Sequence, residues 1–84
     1  MNIQQKRRIC NLLYEESNKF HTAKQLAPSK DYSAVYHVSR FLKKLELHEI
    51  VTVQKRNRSC KYKIESPYWT TDTIESEFGG FISD

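Results

Sequence analysis

The stretch DYSAVYHVSRFLKKLELHEI, residues 31–50, runs directly into VTVQKRNRSCKYKI, residues 51–64, and the change of period between the two decides the fold. In the first part Ala34, Val35, Val38, Phe41, Leu42 and Leu45 recur at steps of three and four, the spacing of one buried helical stripe. The opposite side carries Ser33, Tyr36, His37, Arg40, Lys43 and Lys44, none of them a core residue. Asp31 or Ser33 can cap this helix, which is expected to run to about Leu47. Leu47 falls on the polar side and has no role there unless the helix has already ended. In the second part Ile50-Val51-Thr52-Val53-Gln54 is alternating and β-branched, Lys61-Tyr62-Lys63-Ile64 alternates again, and polar Arg56-Asn57-Arg58-Ser59 lies between them. That is the pattern of a β-hairpin with a basic tip.

Upstream, Ile3, Cys10, Leu13 and Tyr14, widened by Ile9 and Leu12, fall on one side of a helix expected from Ile3 to Ser17. Thr22 followed three residues later by Gln25 has the form of a capping box, so a second, short helix starts at Thr22 and stops before Pro28. Downstream, Ser66-Pro67-Tyr68-Trp69 interrupts the hairpin pattern and opens an acidic, aromatic tail. The expected organisation is one domain over residues 1–65 and a tail over 66–84. With 84 residues the chain can build one modest core and no deep substrate pocket.

Charge is segregated along the chain. All 14 Lys and Arg lie between Lys6 and Lys63, so residues 1–64 set fourteen bases against five acids, a balance of +9. Residues 65–84 carry five acids and no base. A basic body of this kind favours a polyanionic partner. Cys10 and Cys60 are the only cysteines and have no metal-ligand spacing, and His21, His37 and His48 are scattered, as suits surface or cap positions. No Ser-His-acid or Cys-His arrangement stands out, and the only glycines are Gly79 and Gly80, so no glycine-rich phosphate loop exists. Neither enzyme activity nor a cofactor or metal is expected. Without a signal-peptide pattern or a long apolar run, the expected location is the cytoplasm, away from membranes and with both thiols reduced.

Three helices followed by a two-stranded hairpin give an α+β chain in the order of a winged helix-turn-helix, with the hairpin as wing. The third helix then presents its outer side to a major groove while the wing reaches the backbone. Ser33, Tyr36, His37 and Arg40 are the candidate base-reading residues, and Arg40 can pair bidentately with guanine. Lys43, Lys44, Lys55, Arg56, Arg58 and Lys61 suit phosphates. Leu26-Ala27, Leu42-x-x-Leu45 and Ile50-Val51 resemble the LA, LxxL and GLI core signature of winged-helix bacterial regulators, with Glu49 where that signature has glycine. Residues 31–37 are similar to the start of the recognition helix in small regulators of fimbrial phase variation. The resemblance implies double-stranded DNA binding and transcription regulation through the third helix and the wing.

Several alternatives stay open at this point. The same face can instead bind another regulator or the transcription machinery, although a lysine-rich centre disfavours a protein contact. Single-stranded RNA would demand exposed aromatic platforms, for which only Tyr36 and Tyr62 are candidates. Tyr36 and His37 can also be half-buried beside the second helix. A homodimer through the first helix or Tyr68-Trp69 is open as well. The tail is either disordered, packed back through Tyr68 and Trp69, a contact for a protein partner through Phe78, Phe81 and Ile82, or an acidic strap over the basic wing.

Overall fold

The period-3.6 stripe of residues 31–50 becomes the central helix of the protein, which is described here for residues 1–83 from a computed structural model. The elements follow in the order α1 (Ile3–Glu15), β1 (His21–Thr22), α2 (Ala23–Leu26), α3 (Tyr32–Leu47), β2 (Val51–Arg56), β3 (Ser59–Ile64), α4 (Thr71–Glu77) and α5 (Gly80–Ser83). The architecture is α+β, with five helices and a three-stranded antiparallel sheet among the described residues. No helix among them is long and apolar enough to cross a membrane.

Along α3, Val38, Phe41, Leu42 and Leu45 are buried and the two ends of the apolar stripe, Ala34 and Val35, only partly so. Asp31 takes the cap position with extended backbone, but its side chain makes no capping bond. Around α3 the core closes with Ile9, Cys10 and Leu13 of α1, Leu26 of α2, Ile50, Val51, Tyr62 and Ile64 of the hairpin, and Ile74 and Ile82. On α1 the expected stripe is narrower than its apolar letters imply: Ile3 and Tyr14, at its margins, are 46% and 39% exposed. The Thr22–Gln25 capping box forms in both directions at 2.9 and 3.1 Å, and Asn2 and Gln5 make a second one at the start of α1. Arg8 donates to the Leu26 carbonyl at 3.2 Å, tying α1 to the end of α2.

The sheet order β1-β3-β2 adds a strand that the sequence pattern does not announce. His21 and Thr22 pair with Tyr62 and Lys61, so two residues with no strand signature become extended by pairing with the hairpin. This corrects two of the sequence expectations. His21 is buried, with Nε2 3.0 Å from a Glu16 carboxylate oxygen and Nδ1 buried without a partner among the described residues, so it is no surface histidine. Tyr62, opposite Val53 and His21, is 2% exposed and offers no platform to a ligand; burial, its largest influence, pushes its hydroxyl up to about 12.

At the hairpin tip Arg56 faces Ser59, leaving a two-residue loop whose first residue, Asn57, has φ 53°. Asparagine is among the side chains that tolerate this left-handed conformation best. The end of α3 is less well matched. Glu49 donates to Glu46 at 2.9 Å and Ile50 to Leu45 at 3.0 Å, the paired bonds of a Schellman cap, and Glu49 occupies its left-handed position with φ 60°. Glycine is the usual residue there because a Cβ costs about 1–2 kcal/mol in that conformation. Glu49→Gly is expected to stabilise the fold by about 0.5–1 kcal/mol after the added freedom of the unfolded chain is counted. A urea midpoint at or below that of the wild type would refute this.

The segment beyond residue 65 does not hang from the domain. α4 and α5 bury Ile74 and Ile82 completely, and Trp69, Phe78 and Phe81 pack against the same core. The Phe78 and Phe81 rings stack with centroids 5.2 Å apart, and His48 lies against both. The boundary expected at 65/66 is therefore no boundary in the core. The described acidic side chains of α4 do not reach the hairpin tip either. Arg7 of α1 meets Glu75 at 2.5 Å and Asp72 at 3.8 Å, and Glu77 accepts from the Tyr68 hydroxyl. Among the described residues the acidic strap expected over the hairpin is thus not the arrangement that forms.

Candidate nucleic-acid interface

The polar side of α3 remains exposed once its stripe is buried, and it carries an ordered set of side chains. Ser33, Tyr36, His37, Arg40, Lys43 and Lys44 are all exposed. Tyr36 and Arg40, one turn apart, are linked: Arg40 Nη1 donates to the Tyr36 hydroxyl at 3.2 Å, and its guanidinium carbon lies 5.8 Å from the ring centroid. On the other side Tyr32 stacks on Tyr36 with centroids 6.2 Å apart and an interplanar angle of 17°. His37 meets Tyr36 edge-on at 5.7 Å. The face therefore holds a ladder of two phenol rings ending in a guanidinium whose direction is fixed by a hydrogen bond.

Tyr32 is the member of this ladder that the sequence reading leaves out. It is 84% exposed, the most exposed large apolar side chain of the protein among those described. The available signal was its separation of four from Tyr36, which places two aromatic side chains on adjacent turns of one helix face. Half-burial beside the second helix, one of the open alternatives, holds only in degree for Tyr36, which is 44% exposed with its ring contacts to Tyr32 and His37 of its own helix, while His37 is exposed.

Below Arg40 the helix borders a cleft of about 220 Å³ between α1, α3 and α5, walled by Lys6, His37, Arg40, Lys44, Phe41 and Phe81. The Lys44 ammonium sits 5.6 Å from the Phe81 ring centroid, so the tail helix steadies a cation of the α3 face. Lys6 was not singled out by sequence because α1 carries no basic pattern of its own on this side.

No family model, curated protein or solved structure matches the chain. What the face can do follows from its own chemistry.

The hairpin supplies the remaining sequence-predicted residues. Lys55 and Arg56 end β2, Arg58 is in the loop, and Lys61 lies on the central strand opposite Gln54 and Thr22; all four are exposed. Neither these four nor Arg40, Lys43 and Lys44 form an ion pair with an acid among the described residues. Of the acids near them in sequence, Glu46 and Glu49 form no ion pair among the described residues, and Glu65 accepts from the Thr52 hydroxyl. Seven cations on one helix and one hairpin, none paired with an acid among the described residues, raise the local potential for an anionic partner. No group of three or more His, Cys, Asp or Glu side chains among the described residues is arranged to hold a metal ion. The Cys10 thiol is fully buried and pushed up to about 12, chiefly by burial, which removes it as a nucleophile.

Proposed function

We propose that the protein is a winged helix-turn-helix regulator of transcription that binds double-stranded DNA in a sequence-specific manner. The observation that carries this reading is the exposed side of α3, where Tyr32, Tyr36, His37 and a hydrogen-bonded Arg40 lie beside Lys43 and Lys44 with no acid among the described residues paired to any of these cations. A helix of 16 residues is about 24 Å long, and a B-form major groove about 12 Å wide admits it. The element order supports the same reading: a short helix packs before the long one, a small strand joins the sheet, and a two-stranded basic hairpin follows. In this arrangement Ser33, Tyr36, His37 and Arg40 read base edges. Lys43, Lys44, Lys55, Arg56, Arg58 and Lys61 take phosphates, where geometry matters less than charge.

The test is retention of mixed genomic fragments by the full chain as salt is raised. Six phosphate contacts correspond to a log-log slope of roughly −5, and the double variant Arg56→Ala, Arg58→Ala is expected to make it shallower by roughly 2 while fragment choice is kept. A wing variant with an unchanged slope would remove the hairpin from the interface. No retention of any fragment at low salt would reject DNA as the ligand. Binding to another regulator through the same face would then be the better account, since the exposed Tyr32–Tyr36 pair also suits a protein contact.

A further inference from the structure

The order β1-β3-β2 leaves β2 as an edge strand, with its outer row of N–H and C=O groups unpaired by any other strand among the described residues. Charged residues guard only its second half, Lys55-Arg56; the first half is Val51-Thr52-Val53. Beside that half runs a groove of about 660 Å³, floored by Val51, Val53 and Trp69 and rimmed by Glu46, Glu49 and Glu65. None of the three carboxylates has a cation partner among the described residues. Lys55 and Arg56, at the far end of the same strand, have none either.

We infer that β2 pairs with β2 of a second copy of this chain, antiparallel and about a two-fold axis, so that Lys55 of each strand enters the acidic groove of the other. The occupant follows from the strand itself. Acidic residues border its start and basic residues form its end, and a strand with this polarity is complementary to its own antiparallel image. Side-chain alternation gives the register. Val51, Val53 and Lys55 stand opposite Ile64, Tyr62 and Cys60 and so share one face. Two-fold pairing keeps that face common to both copies, and placing half-buried Val53 on the axis sets the second copy's Lys55 opposite Val51, next to Glu46 and Glu49. A closed interface of this type uses the same patch twice and leaves no free edge on β2. In the dimer Lys55 is taken up by the acidic groove and leaves the phosphate set, while Arg56 and Arg58 at the tip stay available to phosphate, so the dimer goes beyond the DNA reading without depending on it.

The experiment is sedimentation velocity of the full chain without DNA over a wide concentration range. Three proteins are compared: wild type, the double variant Glu46→Lys, Glu49→Lys, and Lys55→Glu. Both lysines of the double variant fall at the C-terminal end of α3, where the helix dipole favours cations, and circular dichroism checks that each variant is folded. Each variant alone sets like charges against each other in both grooves and is expected to weaken the dimer at least about tenfold. Mixed in equal amounts, the two variants have one reversed and one native pairing, and the dimer is expected to return. A monomeric wild type at all concentrations, variants that dimerise as the wild type does, or a mixture that stays monomeric would each overturn the inference. Because no DNA is present, those outcomes leave the reading of α3 untouched.

Discussion

Ile74→Ala is expected to lower the unfolding free energy by about 2–5 kcal/mol, and removal of residues 71–84 to abolish a cooperative melting transition altogether. Ile74 and Ile82 are both 0% exposed, and they sit against α1, whose Ile9, Cys10 and Leu13 would be opened to water by their loss. A domain of this length has a total stability of roughly 4–12 kcal/mol, so one such cavity uses a large part of it and two leave little. The ion pairs of Arg7 with exposed Asp72 and half-buried Glu75 still reach solvent and count for less than the two isoleucines. The decisive comparison is thermal melting of the wild type, Ile74→Ala, and a Glu75→Gln variant that removes only an ion pair. Near-equal losses for Ile74→Ala and Glu75→Gln would mean that the tail is held by charge and not by burial. A truncated protein that melts cooperatively close to the wild type would show that residues 1–70 are a complete fold.

α3 was legible because Val38, Phe41, Leu42 and Leu45 repeat a single period over several turns, and the Thr22–Gln25 box because the two side chains satisfy each other locally. The hairpin was legible because alternation on both sides of a polar tip, β-branched on the first side, has few other uses. Elements held by distant partners were not. β1 is two residues long and is extended only because Tyr62 and Lys61 lie alongside. The tail has few apolar letters, yet Ile74, Phe78 and Ile82 recur at intervals of four. Gly79 and Gly80 break that spacing between two short helices and hide it from a periodicity argument. The left-handed position after α3 was marked by the missing glycine at Glu49, and the chain tolerates the strain there. Within the candidate face, Ser33, Tyr36, His37 and Arg40 could be placed by the helical wheel. The bond from Arg40 to Tyr36 and the stacking of Tyr32 depend on rotamers, which a wheel does not give.

Those rotamers make the second large effect specific. Arg40→Ala is expected to reduce discrimination between preferred and unrelated DNA fragments by about tenfold to a hundredfold, the range of one lost bidentate base contact. Fold stability should hardly change, because Arg40 is exposed. Tyr36→Phe keeps the ring that stacks with Tyr32 and faces the guanidinium, but deletes the hydroxyl that accepts from Arg40 Nη1 at 3.2 Å. If Tyr36 acts by aiming Arg40, the hydroxyl has an effect only while Arg40 is present. Tyr36→Phe should then cost about 0.5–1.5 kcal/mol of discrimination in the wild type and almost nothing in Arg40→Ala. Equal losses in both backgrounds would mean that Tyr36 touches DNA directly and independently of Arg40. An Arg40→Ala protein that selects the same fragments as the wild type would remove the guanidinium from base reading and leave it a phosphate contact, visible as a shallower salt slope by about one.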